Sequence, residues 1–147
     1  IGIEISNPGH EHGYRRFNEK QIKTLLKISN FLIKKYKINK RNILGHSDIA
    51  PLRKNDPGEK FPWKKLSRFK IGKWFEKNQK NLKIDEKKIK FLFFKNLQKI
   101  GYRYFSIHKR NNKDKYIIRS FQRHYLPNNV SGKINQKTFK ISHFLAY

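Results

Sequence analysis

The densest chemistry in the chain lies in Gly45-His46-Ser47-Asp48-Ile49-Ala50-Pro51-Leu52-Arg53-Lys54-Asn55-Asp56-Pro57-Gly58. His46 follows a short apolar run, and Asp56 comes ten residues later, across a loop stiffened by Pro51. An imidazole and a carboxylate converging there suit a borderline cation such as Zn²⁺. Lys54 precedes Asp56 by two residues, so an extended backbone would turn both side chains toward one cavity. Taken alone, a histidine and an aspartate at this spacing describe a hydrogen-bonded surface loop equally well. The chain has no cysteine, so a disulfide, a thiolate nucleophile and a thiolate metal ligand are all excluded. Any metal must be held by His, Asp or Glu.

The elements that would carry these residues follow from periodicity. Ile1-Gly2-Ile3-Glu4-Ile5 alternates with a period of two, which predicts a strand with one face buried. Asn7-Pro8-Gly9 breaks it, and a loop runs through His10, His12 and Tyr14 to Phe17. Asn18 followed by Gln21 forms a capping box, and Ile22, Leu25, Leu26, Ile33 and Tyr36 then recur at helical spacing, predicting an amphipathic helix to about Lys37. Ile43-Leu44-Gly45 reads as a second short strand leading into His46. Strand, helix, strand is the pattern of an α/β domain, a mixed sheet flanked by helices. From Ser47 to Trp63 the density of Pro and Gly predicts an irregular loop, and a long structured loop is often functional.

Lysine-rich residues 77–88 read as a linker between a first domain over 1–76 and a second over 89–147. In the second, Ile89, Leu92, Phe93, Leu97 and Ile100 make one helical face, and Ile117, Ile118, Phe121 and Tyr125 another. A last helix covers Phe139 to Leu145 after Asn135-x-x-Thr138. The expectation is a small all-α three-helix domain.

With 36 Lys and Arg against 10 Asp and Glu, the 147-residue chain carries a net charge of +26. The basic residues are 27 Lys and 9 Arg spread along the whole length, whereas base-reading proteins lean on bidentate Arg. No nucleic-acid motif accompanies the charge, so no specific nucleic-acid partner is expected, although such a field draws in polyanions. At 36% hydrophobic and 14% aromatic residues there is enough apolar material for packed cores. No apolar run approaches the roughly 18 residues of a membrane-spanning helix.

The ordered string Ile1-Gly2-Ile3-Glu4, the helix from Asn18, Gly45 to Gly58 and Phe61-Pro62-Trp63 closely resembles the zinc-dependent N-acetylmuramoyl-L-alanine amidases of the amidase type 2 family. The resemblance covers residues 1 to about 76. The loop Asn7-Pro8-Gly9-His10-Glu11-His12-Gly13-Tyr14 resembles the envelope-associated branch of that family. In the second domain, Ile117 to Tyr125 followed by Val130-Ser131-Gly132-Lys133-Ile134-Asn135-x-x-Thr138 is similar to peptidoglycan-binding-like domains.

What the resemblance implies is hydrolysis of the amide between N-acetylmuramic acid and L-alanine, in peptidoglycan or muropeptides. His46 and Asp56 would be two of three zinc ligands, Glu4 the general base and Lys54 the cation facing the developing oxyanion. Asn7, His10 and His12 would line the substrate cleft. The family's first zinc ligand is a histidine on a strand upstream of the Ile1–Ile5 run. With no methionine and a start inside a strand-like run, the chain reads as a fragment lacking its first strand. By itself it is expected to bind zinc weakly and to be inactive, unless His10 or His12 supplies the third ligand. A monomer in the bacterial envelope or periplasm is the expected setting, the cytoplasm the alternative. The rival readings are a peptidoglycan-recognition protein that binds without cleaving and a basic nucleic-acid-binding protein.

Overall fold

The computed structural model describes residues 1–75 and 84–147. Its helices are α1 (Glu19–Tyr36), α2 (His46–Ile49), α3 (Trp63–Ser67), α4 (Glu86–Ile100), α5 (Asp114–Tyr125) and α6 (Gln136–Ala146), with 3-10 turns at His10–His12 and Lys40–Asn42. Residues 77–83 of the expected linker lie outside the described residues, and α4 begins at Glu86, within the remainder.

The helix ends follow from side-chain chemistry. The Asn18 carboxamide accepts from the Gln21 backbone N–H at 2.8 Å, and the Gln21 side chain accepts in return from the Asn18 N–H at 3.0 Å. Two otherwise orphaned donors are thereby satisfied, and α1 starts there. Its Ile22 and Leu25 are buried, whereas Tyr36 is exposed. At α6 the Asn135 side chain plays the same part, accepting from the Thr138 N–H at 2.8 Å.

The expected mixed sheet is absent, because among the described residues there is no β-strand. A strand requires a neighbour whose backbone groups pair with its own, and alternation of side chains cannot supply one. Residues 1–5 and 43–45 are not paired into a ladder. Nor is the expected buried face present at its start, since Ile1 is 82% and Ile3 41% exposed. The α/β reading is therefore corrected to a helical one. The stretch after Gly45, expected to be irregular, opens instead with the single helical turn α2.

Two apolar clusters organise the molecule. Ile22, Leu25, Phe61, Trp63, Leu66 and Ile71 pack beneath α1 and α3. A larger cluster joins α4, α5 and α6 around Phe93, Leu97, Ile117, Phe121 and Phe139, all essentially inaccessible to solvent. Phe94, also buried, extends the face anticipated on α4. Trp74 packs against both clusters. Among the described residues no helix is long and apolar enough to cross a membrane.

Candidate functional site

His46 opens α2, and the chain after it folds back on the same turn. The Ala50 N–H donates to the His46 carbonyl at 2.9 Å, and the Arg53 and Lys54 N–H groups both donate to the Ala50 carbonyl at 3.0 Å. The Ser47 N–H then donates to the Asp56 carbonyl at 2.8 Å, which closes the loop. As a result His46 Nδ1 lies 3.1 Å from Asp56 Oδ2, with both side chains about half open to solvent.

The pair sits on the wall of a groove of about 620 Å³ that runs from residues 1–5 to α1 and α3. Glu4, Asn7 and His10 line the same groove, whereas Lys54 and His12 do not. Lys54 follows the turn at residues 51–53 and is not part of the groove wall. The Asn7 side chain donates to the Arg15 carbonyl at 2.9 Å and accepts from the Gly9 N–H at 3.2 Å, so its polar groups serve the loop.

His10 is engaged as well. Its Nε2 meets Glu59 at 3.0 Å, and its ring stacks on Tyr14 at 4.3 Å. The Tyr14 hydroxyl donates to the Pro57 carbonyl at 2.7 Å and accepts from the Lys60 N–H at 2.8 Å, so the early loop is locked to the segment that follows Asp56. Burial pushes the Tyr14 hydroxyl up to about 12 from its ordinary 10.0, against the Lys60 N–H that favours the phenolate. Gly58, at φ +81°, makes the close approach feasible: a Cβ there would stand 2.5 Å from the Tyr14 oxygen.

Residues 1–59 match the N-acetylmuramoyl-L-alanine amidase family. The N-acetylmuramoyl-L-alanine amidase AmiD of Escherichia coli is 39% identical over 79 residues, covering 50% of this chain and 29% of that protein. The 1,6-anhydro-N-acetylmuramyl-L-alanine amidase AmpD of Haemophilus influenzae is 39% identical over 66 residues, 44% of this chain and 34% of its own. Among solved structures, the complex of E. coli AmiD with anhydro-N-acetylmuramic acid-L-Ala-D-γ-Glu-L-Lys superposes with a TM-score of 0.78 at 27% identity. That superposition covers 90% of this chain and 53% of the other. The chain thus spans about a third of the curated relatives and about half of the solved one.

The amidase-matched segment contains Glu4, His46, Lys54 and Asp56, but it stops before the residues that hold α2 in place. Asp48, buried beside His46, accepts from the Gly45 N–H at 2.9 Å, from the Tyr102 hydroxyl at 2.5 Å and from His124 Nδ1 at 2.7 Å. Burial pushes the Asp48 carboxyl up, but the charge of His124 and the three hydrogen bonds outweigh it and hold the carboxyl below its usual range. Burial and the Asp48 charge together raise the Tyr102 hydroxyl well above the ordinary tyrosine value. The His124 ring lies between Trp63 and Tyr125, with centroids 4.1 and 4.0 Å away and near-parallel planes. Asp48 stood inside the motif read from the sequence without a role, and His124 and Tyr102 lay outside it. The available signal was a histidine on the otherwise apolar stripe of α5, a polar group that burial obliges to find a partner.

As to a metal, the imidazole and carboxylate at 3.1 Å are suitable zinc donors in chemistry and exposure. They are two, however, and among the described residues no group of three or more His, Cys, Asp or Glu side chains could hold an ion. His10 is taken up by Glu59, and His12 is off the groove. The donors therefore fit part of a zinc site.

Proposed function

We propose that the protein to which this chain belongs is an N-acetylmuramoyl-L-alanine amidase, hydrolysing the amide between N-acetylmuramic acid and L-alanine in peptidoglycan-derived substrates. The observation that carries the reading is the His46–Asp56 pair on the wall of a groove shared with Glu4, inside the segment that matches the amidase family. A relative of similar fold was solved with an anhydro-muramoyl tripeptide. Zinc is the implied cofactor, with His46 and Asp56 as two of its ligands. When bound, it supplies Lewis acidity and a water-derived nucleophile at neutral pH.

The chain's own residues have separable tasks. The Glu4 carboxylate, exposed on the groove, is the base that takes a proton from the attacking water and returns it to the leaving L-alanine amine. Lys54 is the cation for the developing oxyanion, a role that requires its segment to turn inward when substrate fills the groove. Asn7 and His10, which line the groove, would contact substrate there, with His12 a further candidate outside the lining.

The test is release of a free L-alanine amino terminus from anhydro-muramoyl-L-Ala-D-γ-Glu-L-Lys, with zinc supplied, by the protein and by its Glu4→Gln and His46→Ala variants. Both variants are expected to lose cleavage, and Glu4→Gln is expected to retain substrate binding. Cleavage that survives His46→Ala would remove the reading. Binding without cleavage by the unmodified protein would favour a recognition protein instead, in keeping with the two-donor site.

A further inference from the structure

α2 is a four-residue helix, too short for its own hydrogen bonds to fix its orientation. His46, at its start, has one side-chain partner among the described residues, the exposed Asp56. The direction in which His46 points is therefore inherited from its neighbours in the turn. Those neighbours, Ser47 and Asp48, are buried and held from outside. The Ser120 hydroxyl donates to the Ser47 carbonyl at 2.7 Å, while Tyr102 and His124 grip the two oxygens of Asp48. The Ser47 N–H, on the other side of the same residue, holds the Asp56 carbonyl.

We propose that Tyr102, Ser120 and His124 are positioning residues for the His46–Asp56 pair: acting through Asp48 and Ser47, they set the angle and depth at which α2 presents His46 to Asp56. None of the three lines the groove. The helical half of the chain thereby sets the geometry of a site whose donors all lie in the first half. That this pair is the reactive centre of an amidase is the reading on which the inference rests.

Two features distinguish positioning from ordinary packing. The contacts are directional, because each involves a hydrogen bond to a particular atom of α2 rather than apolar burial alone. They are also sterically indexed, since Trp63, which stacks on His124, stands 3.2 Å from where a Cβ on Gly45 would lie, and Pro57 closes the other side at 2.7 Å. Trp63 thus links the His124 ring to Gly45, the residue that caps α2.

The experiment uses the full chain and compares Tyr102→Phe, His124→Ala, His124→Asn and, as a control, Ser142→Ala. Ser142 is buried in the helical half and accepts from Asn96 at 3.1 Å, far in sequence from α2. The global stability of each variant is measured by denaturant titration, and amide exchange at Ser47, taken relative to that of the globally exchanging amides of α4 and α5, is then read by NMR together with the His46 ring resonances. Tyr102→Phe and His124→Ala are expected to speed exchange of the Ser47 amide about 10-fold or more and to move the His46 ring signals. His124→Asn, which keeps a donor near the Nδ1 position, should restore much of the difference, and Ser142→Ala should leave both readouts unchanged. Tyr102→Phe removes a single oxygen and provides the result if His124→Ala does not fold. Equal changes in the control, or an unmoved Ser47 amide in both Tyr102→Phe and His124→Ala, would overturn the proposal. Zinc chloride titrated into the unmodified sample tests the underlying reading separately: a His46 ring that ignores zinc removes the zinc site, while the exchange data still decide the positioning role.

Discussion

Asp48 and His124, 76 positions apart, meet at 2.7 Å with both side chains almost completely buried. A buried carboxylate with three hydrogen-bond donors is costly to break, because removing one partner leaves charge without solvent. His124→Ala is expected to lower unfolding free energy by about 3–5 kcal/mol. Tyr102→Phe, which removes one donor from the same carboxylate, should cost about 1–3 kcal/mol. Urea unfolding followed by Trp fluorescence measures both; losses of a few tenths of a kcal/mol would mean that water replaces the missing donors.

The Tyr14 contact carries a pH signature. Its hydroxyl is raised from 10.0 to about 12, so the folded state disfavours the phenolate and the associated stability is complete below pH 10. As pH climbs from 10 toward 12, that stability is lost. The melting-temperature gap between the chain and Tyr14→Phe should hold steady up to about pH 10 and narrow above it. A gap that is flat through pH 12 would contradict the burial that raises this group.

Gly58 is the second place where the early loop and the segment after Asp56 depend on one atom. Gly58→Ala puts a methyl group within 2.5 Å of the Tyr14 oxygen at a backbone φ of +81°, so overpacking and backbone strain act together. The expected cost is about 1–3 kcal/mol, with faster exchange at the Lys60 amide that Tyr14 receives. An unchanged Lys60 amide would show that the loop relaxes away from the clash.

Zinc binding follows from the donor count. With two suitable donors at 3.1 Å and no third among the described residues, calorimetry should find weak one-to-one binding that His46→Ala abolishes. Tight binding by the unmodified chain would mean that His10 leaves Glu59 or that His12 turns inward to complete the set.

The helices were legible in the sequence because their signals are local. Asn18 with Gln21 and Asn135 with Thr138 announce their own starts, and Phe121 and Tyr125 mark a buried face at helical spacing. The strand expectation fails for the converse reason: Ile1, Ile3 and Ile5 alternate correctly, but a sheet is an agreement between segments, and these have no backbone partner among the described residues. His46 and Asp56 were visible as a motif, and a fold-back within one loop suffices to join them. Lys54, two residues before Asp56, does not line the groove that Asp56 lines. Asp48 had no sequence signal for its burial, since its partners Tyr102 and His124 lie 54 and 76 residues away.

The hydrogen bonds that converge on α2 also limit how the molecule can be cut and recombined. Residues 1–75 carry the histidine and aspartate of the groove, yet expressed alone they would strand the Asp48 carboxylate and open Trp63 to water. The amidase-matched segment is therefore not a portable cassette. A chimera with a foreign helical partner would keep the groove in shape only if that partner offered a hydroxyl to the Ser47 carbonyl and two donors to the Asp48 carboxylate.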